Sequence, residues 1–387
     1  MVVIREFTAE DLDVVWRIRR LAFGGPAEPD PRWLRGGWQG WVASLDGRPS
    51  GFARAWPYRQ FFGGVAVPMA GLASVAVDPH ARGRGVATAL LDAALPAMRE
   101  RGQVISSLYP SVAGLYRGRG WEQVGVAERV ELPPATLQAV PPPQRPVPLH
   151  PAGAADLAAL HDCYQALGAT VDGLLDRGTE PFEVSRVLEL DIVTVAPGPA
   201  GLRGYLSAAR RDEGLTVYDL VAHDADAWRA LLRSAGSWAG QLRTVSLRLL
   251  DSRLLSPAPL GVELHSEPWM LRVVDLPAAV AARGWPRAGL LRQGLSVELE
   301  LVDPHAPWHA GRHRLVVDGD RVLVTPGTGS GEAGVRLTAG GVAAWYAGAA
   351  GAAALRRAGL LDGDPAAAAV LDALTGTPGP PRMADAF

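Results

Sequence analysis

Residues 72–91, LASVAVDPHARGRGVATALL, constrain the fold more than any other part of the sequence. Small and apolar residues open the stretch, as in a buried strand, and an apolar pattern with helical period closes it. Between them, Gly83 and Gly85 permit positive φ and let a ligand approach the backbone closely. A helix that starts after Gly85 offers unpaired N–H groups and the positive end of its dipole, and Arg82 and Arg84 add positive charge. The stretch therefore predicts a strand, a phosphate-binding loop and a helix.

Two other interpretations of the loop have to be weighed. Gly83-x-Gly85-x-x-Thr88 is an incomplete dinucleotide-binding fingerprint, because a third glycine and an acidic residue at the end of the next strand are not evident. An ordinary arginine-rich turn between a strand and a helix is the second alternative. The discriminating context lies downstream, where residues 115–121, LYRGRGW, predict a short helix with a tyrosine followed by Gly-Trp.

The spacing Arg82-x-x-Gly85-x-Ala87, followed by Tyr116 and then Gly-Trp121, resembles the coenzyme A-binding signature of the GNAT acyltransferases. In that family the coenzyme A lies across a splayed strand, and its diphosphate caps the next helix. The resemblance implies a GNAT domain that uses acetyl-CoA as co-substrate.

Composition excludes several classes of function. A net charge of −2 gives no electrostatic case for nucleic acid or an anionic membrane surface as a partner. The single cysteine, Cys163, excludes a disulfide framework and a multi-cysteine zinc site, and its place in a predicted helix favours burial over catalysis. No apolar run approaches membrane-spanning length, and residues 1–7 predict a strand rather than a signal peptide, so we expect a cytoplasmic protein.

At 387 residues the chain is long enough for two or three domains. We predict a catalytic unit at residues 1–133, a proline-rich linker at 134–146, a degenerate copy of the first unit at 147–275 and a third unit at 276–387. In the second copy, Asp224 starts a helix directly after the central strand, with neither a glycine loop nor an arginine pair. Without those donors a diphosphate has no seat, so this copy should be catalytically empty.

Periodicity and turn residues predict the main elements. A hairpin turns at Asp46-Gly47, and the helix that starts at Gly85 contains Pro96, which should cause a kink or an early end. In the third unit we predict strands at residues 294–302, 313–318 and 321–325, and helices at 340–358 and 365–374.

Two patterns that imitate functional sites are interpreted as structural. His305, His309 and His313 are spaced by four, as metal ligands on a helix would be, but prolines and a glycine among them break such a helix. We therefore predict a loop that enters a strand, and no metal site. Residues 327–331, GTGSG, lack the lysine and the following helix of a phosphate loop and are interpreted as an inter-strand loop.

The third unit resembles the sterol-carrier-protein fold. A GNAT unit, an empty GNAT unit and a sterol-carrier-like unit with a proline-rich tail ending at Phe387 are together similar to the Eis (enhanced intracellular survival) family of aminoglycoside acetyltransferases. We therefore expect an α/β (α+β) chain with tandem GNAT acyltransferase folds followed by a sterol-carrier-protein-like α+β domain. The resemblance also implies a homo-oligomer, and specifically a homohexamer.

The Eis resemblance assigns roles to individual residues. In that family the general base is the C-terminal carboxylate, here that of Phe387, and the general acid is a tyrosine that matches Tyr116. One departure is Val112, where the family has an acidic residue. The residues implied to bind acetyl-CoA are Val75, Ala76, Val77, Arg82, Gly83, Arg84, Gly85, Val86, Ala87, Thr88 and Ser111.

The acceptor site is predicted between the first helix and the second strand. Trp33, Trp38 and Trp41 crowd this segment near Asp30, which indicates an apolar and partly acidic pocket suited to an amine. For any single indole, a place in the core or at a subunit interface is the better interpretation. Asp385 near the terminus either attracts a cationic acceptor or is merely solvated.

Two functional hypotheses follow. In the first, the protein is an acetyl-CoA-dependent N-acetyltransferase that acts on a small-molecule amine, an aminoglycoside or a related antibiotic, with protein lysines as secondary acceptors. In the second, it is a lipid-carrying or scaffold protein whose first unit is a relic. The intact loop and Tyr116 favour the first, since a phenol with an ordinary pKa of ~10 is a suitable proton donor to a thiolate.

Overall fold

The structure, a computed structural model, describes residues 1–250, 262–327, 334–376 and 379–387. Its largest element is a sheet of twelve strands in the order β1-β2-β3-β4-β5-β12-β6-β11-β10-β9-β8-β7. The strands are β1 (Val2–Glu6), β2 (Gln39–Leu45), β3 (Arg48–Phe62), β4 (Val65–Val77), β5 (Ile105–Leu108), β6 (Glu122–Leu132), β7 (His150–Pro151), β8 (Ile192–Gly198), β9 (Gly201–Arg211), β10 (Gly214–Ala222), β11 (Thr244–Leu249) and β12 (Glu263–Val273).

Helices cover this sheet and form much of the C-terminal unit. They are α1 (Leu12–Phe23), α2 (Val86–Glu100), α3 (Ala113–Arg117), α4 (Pro134–Gln138), α5 (Leu157–Gly168), α6 (Ala225–Gly236), α7 (Leu276–Ala282), α8 (Ala339–Tyr346), α9 (Ala352–Arg357) and α10 (Pro365–Thr375). None of the helices in the described ranges has both the length and the apolar character that crossing a bilayer requires.

Local sequence signals explain the first unit. Asp46 and Gly47 adopt positive φ of 52° and 80° and turn β2 into β3, as predicted. The early end predicted for α2 is wrong, because the helix runs through Pro96 to Glu100. Its buried face, which includes Leu90, packs against the sheet, and this burial offsets the hydrogen bond that the proline cannot donate.

Strand β12 occupies a place that the sequence did not reveal. It lies between β5 and β6 and is antiparallel to both, with Met270 opposite Leu108 and Leu264 opposite Val130. The assignment of residues 263–273 to the second unit is therefore corrected, since this strand completes the sheet of the first unit. Without it, β5 and β6 would each present an unpaired edge.

The second unit continues the same sheet. Its strand β11 pairs with β6 of the first unit, and β10 runs parallel to β11, as β4 does to β5. Asp224 caps α6 by accepting bonds from the amides of Asp226 and Ala227, so this helix starts without a glycine loop, as predicted. Part of the predicted linker is instead helical, since it contains α4. This helix packs closely on α6: a Cβ at Gly236 would lie 2.6 Å from the Gln138 amide nitrogen.

The C-terminal unit holds a second sheet, in the order β15-β14-β13-β16-β17. The single helix predicted at residues 340–358 is wrong, because Gly348 takes a φ of 69° and separates α8 from α9. Asp364 caps α10 as predicted. Most of the predicted loop at 327–331 lies outside the described residues. The strands are β13 (Ser296–Val302), β14 (Gly311–Asp318), β15 (Arg321–Pro326), β16 (Val335–Thr338) and β17 (Leu361–Gly363).

A buried ionic cluster joins β12 to the C-terminal unit. Arg272 Nη2 lies 2.7 Å from Asp303 Oδ2, and both side chains are almost completely buried. His309 Nε2 donates to the same carboxylate over 2.9 Å, while its Nδ1 accepts from the Leu276 amide. Burial alone would raise the pKa of Asp303, but the His309 hydrogen bond and the Arg272 charge hold it below its usual value. His309 is thus a structural residue in a loop that leads into β14, and His313 bonds to its carbonyl oxygen.

We predict that Arg272→Met destabilises the protein strongly. The substitution leaves Asp303 buried without its cation, a change that typically costs about 3–5 kcal/mol. The free energy of unfolding, measured by denaturant titration, reports the loss. Arg243→Met is the control, because Arg243 pairs with Glu213 on the surface and its loss should leave the free energy nearly unchanged. Equal stability of the two variants would contradict the role of the buried pair.

Candidate active site

An opening in the sheet defines the candidate site. The parallel strands β4 and β5 pair only from Met69 opposite Ile105 to Gly71 opposite Ser107. Beyond Gly71, β4 continues to Val77 and keeps β3 as its ladder partner. The far edge of residues 72–77, which include Val75, Ala76 and Val77, therefore carries backbone donors and acceptors that can bind a ligand.

A bulge alters the direction of the β4 backbone within this opening. Phe52 of β3 lies opposite Ala76, but Arg54 lies opposite Ala73, so two residues of β4 face one of β3. Ser74, in the bulge, has a φ of 53°, which is uncommon for a residue with a side chain. The local rotation takes peptide groups out of the β3 ladder, and it is the kind of backbone irregularity that recurs beside active sites.

The glycine loop adjoins the same end of β4. Gly83 and Gly85 have φ of 73° and 80°, and a Cβ at either position would meet nothing within 4 Å, so the loop borders open space. Gly85 is the N-cap of α2, and the amides of Val86, Ala87 and Thr88 occupy the first turn, where helical partners are missing. Arg82 is exposed, while Arg84 pairs with Asp46 over 2.8 Å. These features fit the diphosphate of coenzyme A.

Tyr116 lies in α3, within the apolar cluster that α2 forms against β4 and its neighbours. Its side chain is 5% exposed, and its ring meets Trp121 edge-on at 6.4 Å. Burial raises the pKa of Tyr116 to about 12, so the expectation of an ordinary pKa is corrected. The phenol stays neutral across the physiological range and can only donate a proton there. Ser111 and Val112 are exposed just before this helix.

The end of the chain reaches the opening from the other side. The ring of Phe387 lies 5.4 Å from that of Tyr58 and 5.8 Å from that of Tyr109. A Cβ at Gly71 would lie 3.1 Å from the Phe387 ring, so the terminal residue sits where β4 and β5 part. Neither Tyr58 nor Tyr109 was singled out from the sequence, although Tyr58 follows Arg54 and Trp56 at alternate positions on one face of β3.

Backbone contacts hold the tail along its length. The Arg382 amide donates to the Asp172 carbonyl over 2.8 Å, and Arg382 pairs with Glu128 through its side chain. A Cβ at Gly125 would clash with the Pro381 carbonyl oxygen, and Met383 is fully buried. The tail therefore packs between the first and second units.

Asp385 anchors the tail to the second unit. It lies 2.8 Å from Arg177 Nη2, while Arg177 also binds both carboxylate oxygens of Asp219 at 2.8 and 2.9 Å. The ring of Tyr164 lies 3.8 Å from the Arg177 guanidinium carbon. Burial alone would lower the pKa of Arg177, but the two carboxylates hold it well above its usual value. Asp385 lines a cavity of about 490 Å³, yet its charge is already paired, so neither predicted alternative describes it.

The tryptophans of the predicted acceptor wall divide between the two faces of the sheet. Trp33 and Trp38 meet at 4.9 Å, and the Trp38 indole donates to the Trp33 carbonyl oxygen. The prediction that Trp41 belongs to the acceptor wall is corrected, because Trp41 packs on the opposite face of the sheet, in the cluster around α2. The carbonyl oxygen of Asp30 accepts from the Trp33 amide, which places Asp30 at the edge of this wall.

Arg54 lies among the tryptophans of this wall, a position that the sequence did not predict. Its guanidinium carbon lies 4.6 Å from the ring centre of Trp56, 4.9 Å from that of Trp33 and 5.7 Å from that of Trp38. By contrast, Cys163 is buried as predicted, and burial raises the pKa of its thiol to about 12, which leaves it unreactive.

Comparison with known proteins agrees with this geometry. Residues 3–124 match the acetyltransferase (GNAT) domain, and residues 276–384 match the sterol carrier protein domain. An uncharacterized N-acetyltransferase of Streptomyces avermitilis is 30% identical over 362 residues, which cover 84% of this chain and 82% of the relative. A GCN5-related N-acetyltransferase from Kribbella flavida superposes with a TM-score of 0.84 and 33% identity, covering 100% of this chain and 98% of that one.

The Eis1 protein of Mycobacterium abscessus shares the whole fold, with a TM-score of 0.76, 24% identity and full coverage of both chains. The chain thus combines GNAT folds with a C-terminal sterol-carrier-like domain in a mixed α/β architecture. The parted strands, the glycine loop and the relatives lead to one conclusion: this protein belongs to the GCN5-related N-acetyltransferases and is an enzyme of that family.

Proposed function

We propose that the enzyme transfers an acetyl group from acetyl-CoA to the amine of a small molecule in the opening between β4 and β5. The observation that carries the proposal is the position of Phe387 against Gly71, at the point where the two strands part. The likeness to the Eis fold makes aminoglycosides and related amine antibiotics one class of small-molecule amine to assay.

The co-substrate supplies an acetyl group activated as a thioester. Residues 82–88 would hold its diphosphate through backbone amides, the helix dipole and arginine charge. The backbone N–H groups of residues 74–77 would donate to the acetyl carbonyl oxygen as negative charge develops on it. The opening thus provides donors that are in position before the reaction begins.

The proposed proton acceptor and the proposed proton donor come from different parts of the chain. A protonated amine must lose a proton before its nitrogen can attack, and the Phe387 carboxylate would accept that proton. Tyr116 would donate its proton to the departing sulfur as the carbon–sulfur bond breaks. Because burial raises the pKa of Tyr116 to about 12, the tyrosinate is costly, and the phenol acts chiefly as a hydrogen-bond donor until the thiolate forms.

We predict that Tyr116→Phe lowers kcat by about 10²- to 10⁴-fold, the range that general acid catalysis contributes. Acetyl-CoA affinity, measured by calorimetry, should stay near that of the parent enzyme. Since the phenol must be protonated and its pKa is about 12, activity lost through Tyr116 should appear only as the pH approaches that value. The control is Tyr346→Phe, which removes a buried hydroxyl in the C-terminal unit and should leave kcat unchanged.

We predict that a chain lacking Phe387 loses kcat and still binds acetyl-CoA. The new terminal carboxylate would sit one residue back, about 3.5 Å along an extended chain, and could not reach the same proton. Phe387→Leu is the matched control, because it changes the ring and keeps the carboxylate in place. Turnover by the shortened chain equal to that of the full chain would assign the base to another group.

We predict that Asp385→Asn loosens the tail, because it removes the charge that Arg177 holds while leaving the Arg177–Asp219 pair intact. Carboxypeptidase should then release Phe387 faster than from the parent enzyme, as followed by mass spectrometry, and kcat should fall in parallel. Arg186→Met, which breaks an exposed pair with Glu189 in the second unit, is the control. Unchanged release and turnover in Asp385→Asn would show that the ion pair does not hold the tail.

A further inference from the structure

The acceptor face of the first unit contains buried hydrogen-bond donors that lack acceptors. Arg54 is 8% exposed, and its Nε and Nη1 atoms are buried without a hydrogen bond. The indole nitrogens of Trp33 and Trp56, whose rings border the Arg54 guanidinium, are in the same condition. Arg19 Nε is a further buried donor without an acceptor. Every one of these atoms donates, so the group lacks an oxygen acceptor rather than a general polar partner.

The aromatic rings compensate only part of the Arg54 charge. Three indoles lie within 5.7 Å of the guanidinium and stabilise a cation through their ring electrons. This attraction does not satisfy the N–H groups, which require a lone pair. An arginine surrounded by indole rings presents a planar set of donors whose geometry matches a carboxylate or a phosphate.

The ionisable groups around Arg54 do not neutralise it. Burial, followed by the charge of Arg19, lowers the pKa of Arg54 to about 10, so the side chain is still a cation at neutral pH. Tyr58 is the other ionisable group that acts on it, and that phenol is neutral because burial raises its pKa. The Glu180 carboxylate lies beside Gly37. The group formed by Arg54 and the three surrounding indoles is therefore electropositive.

Arg54 is close to the place proposed for acetyl transfer. Arg54, Trp56 and Tyr58 alternate along one face of β3, and Tyr58 contacts Phe387. Trp56 is the cross-strand partner of Gly71, and Arg54 is the partner of Ala73, next to the bulge at Ser74. Two residues of a strand span roughly 7 Å, which is the separation along β3 between Arg54 and the position opposite Gly71.

We propose that the acceptor carries a carboxylate or a related oxyanion beside its amine, and that Arg54 with the indole N–H groups of Trp33 and Trp56 binds this anion. The inference rests on the proposed function for the fate of the amine and adds the chemical class of the acceptor. A polycation such as an aminoglycoside would place positive charge against Arg54 and Arg19, and it is a poorer fit to this wall.

Paired acceptors test the proposal directly. Tryptophan against tryptamine, phenylalanine against phenethylamine, and lysine against cadaverine differ only in a carboxylate, and an amino phosphate tests the other oxyanion. In the parent enzyme, kcat/KM should favour the anionic member by about tenfold to a hundredfold, the range expected of a hydrogen bond to a charged group. In Arg54→Met the ratio of kcat/KM between the anionic and the plain member of each pair should fall towards one. Arg54→Lys, which retains charge without the planar donors, should restore only part of it.

A binding measurement separates this inference from the proposed function. Quenching of tryptophan fluorescence by the N-acetyl amino acids needs no turnover, and it should be lost or weakened at least tenfold in Arg54→Met. If no amine is acetylated but the quenching depends on Arg54, the proposed function fails and the anion site stands. If the amines are acetylated with no preference for a carboxylate, or if Arg54→Met changes neither preference nor quenching, the anion site is wrong.

Discussion

The parting of β4 from β5 after Gly71 is the constraint on which the rest of the site depends. A parallel pair that stays in register would satisfy its own backbone groups and leave nothing for a ligand. Because the ladder stops after three residue pairs, one edge of β4 carries donors and acceptors that another group must satisfy. The bulge at Ser74, the glycine loop and the seat of Phe387 all lie along or beside that edge.

The second unit has the same strand arrangement as the first unit, but it uses that arrangement to hold the C-terminal tail. Its strand β10 also carries a bulge, between Val217 and Asp219, at the place where pairing with β11 ends. In the first unit the corresponding bulge is at Ser74, beside the opening. In the second unit Asp219 follows the bulge and pairs with Arg177, which in turn holds Asp385 of the tail. A copy without a phosphate loop thus contributes to the first unit by fixing the end of the chain.

The sequence predicted what depends on local chemistry. Glycines at positive φ, a helix N-terminus and a Gly-Trp turn each act within a few residues, so the loop at 82–88 and the short helix of Tyr116 could be found from spacing. The insertion of β12, the pairing of Asp385 and the turning away of Trp41 depend on contacts between residues far apart in sequence. No periodicity encodes such pairings. Arg54 could not be predicted as a site residue, because a lone arginine on a strand ordinarily reaches solvent and only the fold surrounds it with indoles.

The position of β12 also has a consequence during synthesis of the chain. About 130 residues separate the end of β6 from the start of β12, although the two strands are neighbours in the sheet. At a translation rate of about 5–20 residues per second, that interval lasts roughly 7–26 s. Throughout it the nascent first unit exposes the edges of β5 and β6, with the apolar surface that Trp269 and Leu271 later cover. The sheet of the first unit can therefore be completed only after residues 263–273 have emerged from the ribosome.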